Sequence, residues 1–149
     1  MFSVDPGLAT GVALMGRSGD VLTLFASAEL GWPECADAFE YVMKSGVCDV
    51  VIAENFIINA RTVGNSQAPW SLMALGCVTW LCDRYSLDLV LQLPSNAKNV
   101  APNEKLKRLG TWHKGGAGHA NDAIRHAVLY AISTGFRSPA LVRDPGYTD

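Results

Sequence analysis

The sequence predicts a single α/β domain over residues 1–149, with 139–149 as a tail. One mixed five-stranded sheet is flanked by helices, in the order β-β-β-α-β-α-β-α. Three observations support this. Three short apolar segments separated by tight turns open the chain, as in an antiparallel meander. From residue 33 onward, helical and strand-like stretches alternate. Finally, Ala120, Ala123, Ile124, Ala127, Val128, Ala131 and Ile132 recur at the i, i+3, i+4, i+7 spacing of a helix face.

Phe2–Asp5 is the first strand, stopped by the turn signal Pro6-Gly7. Thr10–Met15 and Val21–Ala26 are the second and third, joined through Ser18-Gly19-Asp20. Pro33–Lys44 is the first helix: proline suits the opening turn, Glu34 and Asp37 complement the positive dipole end, and Gly46 suits the stop. Cys48–Ala53 is a near-continuous apolar run, the pattern of a strand covered on both faces, and Glu54 stands at its C-terminal edge. Residues 55–66 have no period and read as a mobile loop. A long helix runs from Ser66 or Gln67 to Tyr85, and its middle, Leu72–Val78, is apolar on every side. Such a helix needs cover all round. The sheet supplies one side and a second copy of the chain the other, so a homodimer through residues 67–85 is expected, against the alternative of a central helix wrapped by its own domain. Leu87–Leu91 is the fifth strand, ended by Pro94. A basic stretch from Lys98 to Lys114 then leads through the glycine-rich residues 115–118 into the last helix, 120–134, closed by Gly135.

Composition narrows the function. With 49% hydrophobic and 17% charged residues the chain is too apolar to be disordered, and 149 residues can hold a core without disulfides. Cys35, Cys48, Cys77 and Cys82 match no zinc spacing, so buried reduced thiols are expected, which fits a cytoplasmic location. The start, Met1–Asp5, lacks the basic region of a signal peptide, and the longest apolar run, Leu72–Cys82, is too short to span a bilayer, so no membrane partner is expected. A net charge of −2 alone speaks against nucleic acid. Its distribution does not: residues 1–97 carry four Lys/Arg against ten Asp/Glu, whereas residues 98–137 carry seven against two. An acidic segment precedes a basic strip.

Three acids stand in telling places. Asp5 ends the first strand, Glu54 ends the fourth, and Asp122 lies in the first turn of the last helix, three residues after His119 and on its face. Taken singly each has a bland reading: a turn residue, a solvated edge charge, a dipole complement, a capping histidine. Together, on neighbouring strands with a helix packed across them, they would form a carboxylate cluster. Clustered carboxylates repel unless a cation binds, and hard oxygen ligands suit Mg²⁺ or Mn²⁺. Two such ions can activate a water and stabilise the leaving oxygen of a phosphodiester.

These residues are where the sequence resembles the RuvC-like Holliday-junction resolvases of the RNase H-like superfamily. Asp5-Pro6-Gly7 with Thr10-Gly11, Ile52-Ala53-Glu54, and His119-Ala120-Asn121-Asp122-Ala123 carry the resemblance, which spans about residues 1–134. It implies an RNase H-like fold and a homodimer. It implies an Mg²⁺- or Mn²⁺-dependent endonuclease that nicks branched DNA, above all four-way junctions. It makes Asp5, Glu54, His119 and Asp122 the catalytic and metal set, with two ions per site. Some members carry an acid where His119 stands. Lys98 and Lys105 match basic residues near the phosphate backbone, although the stretch between them is short and lacks the family's glycines. That brevity is like the compact phage branch, whose substrates extend to forks and flaps. Phe56 stands one position earlier than the aromatic that the family sets against unstacked bases.

Lys98, Lys105, Lys107, Arg108 and Lys114 are candidate phosphate contacts, against the alternative of a solvated helix face, and Arg125 and His126, one turn beyond Asp122, either bind phosphate or only balance the acids. Trp112 suits a base contact better than Trp70 or Trp80, which suit the core or a dimer seam. Two other functions remain open at this point: a structured-RNA processing nuclease on the same fold, and a non-catalytic nucleic-acid or ATP-binding module. If about five phosphates are neutralised per subunit, log affinity for DNA should fall against log salt with a slope of about −4.5. A slope near zero in a salt series of binding isotherms would remove the basic strip from the interface.

Overall fold

A computed structural model describes residues 1–57 and 68–141. The loop expected over 55–66 therefore falls largely outside the described residues.

β1 (Phe2–Asp5) is the central strand. β2 (Thr10–Ser18) pairs antiparallel to it and β3 (Val21–Leu30) antiparallel to β2, which is the expected meander. On the other side β4 (Val50–Glu54) pairs parallel to β1 and β5 (Asp88–Gln92) parallel to β4. The strand order is β3-β2-β1-β4-β5, so the sheet is mixed, as the sequence predicts. In β1, Phe2 and Val4 enter the core beneath α1 (Glu34–Lys44) and α2 (Ala68–Tyr85). Ser3 takes the opposite face, where its hydroxyl donates to the Ala123 carbonyl. Side chains alternate along a strand, and this alternation gives the central strand one apolar and one polar face.

On the apolar side, Cys35, Phe39 and Met43 of α1 follow a helical stripe, and the Phe39 ring meets Phe2 edge-on at 6.0 Å between centroids. Its own domain covers α2 on one side only. Ala74, Val78, Leu81 and Cys82 are buried, but Leu72, Met73 and Trp80 are exposed. An apolar sequence does not show which of its sides the rest of the domain reaches.

Two short helices, α3 (Pro94–Val100) and α4 (Asn103–Arg108), occupy the basic stretch, where the sequence order placed no helix. Pro94 stands at the first turn of α3, where its missing N–H costs nothing. Ala97, Ala101 and Leu106 are buried. Helices of six or seven residues are too short for periodicity to reveal.

α5 (His119–Ser133) lies across the polar face. Ala120, Ala123, Ala127 and Ala131 are buried, and such small side chains let helix and sheet approach closely. The approach is tightest at Gly11, where any Cβ would collide with the His119 carbonyl and the Ala120 nitrogen. Gly11→Ala should therefore lower stability by about 1–3 kcal/mol or more, because backbone must move. Urea denaturation measures this, and an unchanged midpoint would show that the helix start is not held against β2.

Candidate active site

The sheet register puts one row of residues under the start of α5. Asp5 pairs with Gly11, and Gly11 with Glu29. On the parallel side Val4 pairs with Ala53, so Asp5 and Glu54 are the next positions along, and Glu54 pairs with Gln92. In-register neighbours share a face. The row Glu29, Gly11, Asp5, Glu54, Gln92 thus crosses all five strands, and each member meets α5 or the loop leading into it.

Asp5 is buried at the end of β1, and His119 Nδ1 donates to its Oδ2 at 2.9 Å. Burial pushes the Asp5 carboxyl above its ordinary range against that hydrogen bond, and the negative charges of Glu54 and Asp122 push the same way. The hydrogen bond to Asp5 in turn holds His119 above its usual value. Glu54 accepts from His126 Nε2 at 2.9 Å, and His126 Nδ1 lies 2.8 Å from the Gln92 amide oxygen. Asp122 is paired with Lys98 at 3.2 Å and with the Arg125 guanidinium.

The structure thus brings Asp5, Glu54, His119 and Asp122 into one electrostatic neighbourhood, and each carboxylate there faces a nitrogen donor. Among the described residues, no three His, Cys, Asp or Glu side chains are gathered tightly enough to hold a metal ion as they stand. The donor chemistry does suit one. Three hard carboxylates come from three elements, and burial together with the charges of Glu54 and Asp122 raises the proton affinity of Asp5, which is the condition a divalent cation relieves.

A cleft of about 640 Å³ opens beside Asp122, lined among others by Lys98, Asn103, Trp112, Asn121 and Arg125. The expected basic residues divide around it. Lys98, Arg108 and Lys114 are exposed. Lys107 is also exposed, but it pairs with Glu104 at 3.0 Å and lies 5.5 Å over the Trp112 ring. Lys105 is half-buried and donates to the Val100 carbonyl. Arg125, a candidate phosphate contact or a balance for the acids, takes the second role and is turned inward to Asp122. It is buried, and it donates to the Ala101 carbonyl, Asn103 and Asp122. It ties α5 to the segment carrying α3 and α4. Phe56 lies half-buried just beyond β4.

Sequence reasoning missed two positioning groups, Glu29 and Asn121, and left His126 between binding phosphate and balancing the acids. The Glu29 carboxylate accepts from the backbone N–H groups of Ala117, Gly118 and Ala120, so a strand two places from Asp5 caps the α5 N-terminus. Asn121 exchanges two hydrogen bonds with the His113 backbone, both at 3.0 Å, and fixes the loop bearing Trp112. His126 carries Glu54. Only His126 left a local signal, being seven residues from His119 and four from Asp122 on one helix face.

A mixed β3-β2-β1-β4-β5 sheet with acids at adjacent strand ends and on the covering helix defines the RNase H-like class of folds. Within that class, the structure of Thermus thermophilus RuvC in complex with a Holliday junction substrate matches with a TM-score of 0.70 at 17% identity, covering 91% of this chain and 97% of that one. Another Thermus thermophilus RuvC structure matches at 0.70 and 16% identity, covering 93% and 99%. No family model and no curated protein matches. The chain has the RuvC fold over nearly its whole length, as its sequence resemblance implied.

Burial opposes ionisation of Glu29, but the three backbone donors outweigh it and hold the carboxyl below its ordinary 4.5. A depressed folded value means stabilisation present above the unfolded value and lost as pH falls through the folded one. Glu29→Ala should cost about 1–2 kcal/mol at neutral pH, in the range of lost helix caps. The gap from wild type should close under strongly acid conditions. A gap in urea midpoints that does not change with pH would show that the charge is not what holds the helix.

Proposed function

We propose that this chain is a divalent-metal-dependent, structure-selective endonuclease that nicks branched DNA and resolves four-way junctions as a homodimer. The observation that carries the reading is the placement of Asp5 and Glu54 at the ends of adjacent strands of a RuvC-type sheet, with Asp122 electrostatically coupled to Asp5 from the covering helix and lining, with Lys98, an adjacent cleft. One of the matched RuvC structures holds a Holliday junction substrate, which supports branched DNA as the substrate class.

Asp5, Glu54 and Asp122 would hold Mg²⁺ or Mn²⁺, with His119 at the rim. When bound, two such ions activate a water and stabilise the leaving oxygen of the phosphodiester. The chain's own residues do the rest. His119 orients Asp5 through Nδ1, and Glu29 holds the helix end that carries His119 in place. Lys98 is the exposed counter-ion of Asp122, and with a cation held there its ammonium would be available to a backbone phosphate. Arg108 and Lys114 are exposed on the same basic stretch and would add phosphate contacts, and Trp112 offers a ring lining the cleft. The net hydrolysis forms one bond from water oxygen to phosphorus and breaks one backbone P–O bond. The water's protons end on the leaving oxygen and in solvent.

The exposed apolar side of α2, with Leu72, Met73 and Trp80, is the surface on which a second copy would pair. A junction with two-fold symmetry calls for two active sites.

A gel assay of a mobile four-way junction, a Y-fork and a plain duplex should show paired symmetric nicks in the junction that require Mg²⁺. Asp5→Asn and Asp122→Asn should each abolish cutting, a loss of at least about a hundredfold, while junction binding survives. Wild-type cutting by either variant would refute the metal assignment. Unpaired nicks would refute the dimer, and cleavage of structured RNA alone would transfer the activity to RNA.

A further inference from the structure

His126 is the one buried imidazole beside the carboxylates that the resemblance leaves without a role. Its side chain is 1% exposed, and it stands between two members of the sheet row, Glu54 at the end of β4 and Gln92 at the end of β5. A carboxylate only accepts, so the Nε2 facing Glu54 carries a hydrogen. The Gln92 amide serves either form of the ring: its oxygen accepts from Nδ1–H, or its NH₂ donates to a bare Nδ1 after a half-turn. Nε2–H therefore points at Glu54 in both cases. Oε2 of Glu54 is the atom engaged.

We propose that His126 is a positioning residue for Glu54. Anchored by Gln92, it holds Oε2 so that the carboxylate keeps one rotamer and presents its other oxygen to a bound cation. This rests on the nuclease reading above. Acids that ligate metals depend on such outer hydrogen bonds, whose loss typically weakens metal affinity about 10–100-fold. The partner of Glu54 is bonded at both ring nitrogens inside the protein, whereas Asp122 is paired in part with a Lys98 side chain that is 60% exposed.

The test is Mn²⁺ titration by calorimetry, with thermal melts run alongside. His126→Leu should weaken Mn²⁺ binding about 10–100-fold. His126→Gln, whose terminal NH₂ can take the place of Nε2–H, should recover most of that loss. A general packing role would not distinguish the two in this way. Gln92→Leu leaves the ring in place but removes its anchor, so it should weaken Mn²⁺ binding in the same direction by a smaller factor, and it serves as the readout if His126→Leu does not fold. Wild-type affinity in both His126→Leu and Gln92→Leu overturns the positioning role, as does a His126→Gln chain that binds no better than His126→Leu. A wild-type chain with no Mn²⁺ affinity overturns the metal reading and this role with it, whereas Mn²⁺ binding by wild type alongside indifferent variants overturns the role alone.

Discussion

Everything around the candidate site depends on how the start of α5 is clasped by one row of residues across the sheet. Gly11 lets the helix backbone sit against β2, because it has no side chain to hold it off. Glu29 binds the exposed N–H groups at and just before that helix end, and Asp5 binds its first side chain. Farther along, Glu54 and Gln92 share His126, one turn past Asp122. An acid in a strand, an acid on a helix and their partners keep a common geometry only if helix and sheet cannot slide. The row prevents sliding through contacts to backbone and side chain on all five strands.

The same row explains how the fold tolerates so much negative charge in one place. Burial raises the cost of ionising Asp5, and the negative charges of Glu54 and Asp122 add to it. Without a metal, the chain offsets this with His119, His126, Lys98 and Arg125, one or two per acid. Part of the basic strip is therefore committed to internal charge balance. The cations of residues 98–137 are not a uniform face for DNA: Arg125 and Lys105 are turned to protein carbonyls, while Lys98, Arg108 and Lys114 stand at the surface.

The two sides of the sheet divide the work. Beneath α1 and α2 the contacts are apolar, from Phe2 and Val4 to Phe39 and Val78, and carry stability without chemistry. Across the other face, α5 packs with alanines where closeness matters and polar side chains where the site lies. The α2 helix shows the limit of the apolar side. It is richer in hydrophobic residues than one domain can cover, and this surplus suits a surface for a second copy.

Local pattern in the chain determined a good deal. The strand-meander opening, the buried fourth strand and the amphipathic last helix were all legible, because each rests on periodicity and turn chemistry within a few neighbouring residues. The placement of Asp5, Glu54 and Asp122 at element ends was legible for the same reason, and with the motif around His119 it pointed to the RuvC-type fold that the structure shows. Tertiary structure alone decided the rest. The role of Glu29 depends on strand register across a sheet, and that of His126 on which helix turn crosses which strand end. The inward turn of Arg125 depends on two short helices whose length leaves no periodic trace. Hydrogen bonds between residues about 90 positions apart, like those from Glu29 to the loop before α5, leave no mark on either local sequence. They exist only once packing has brought the partners together.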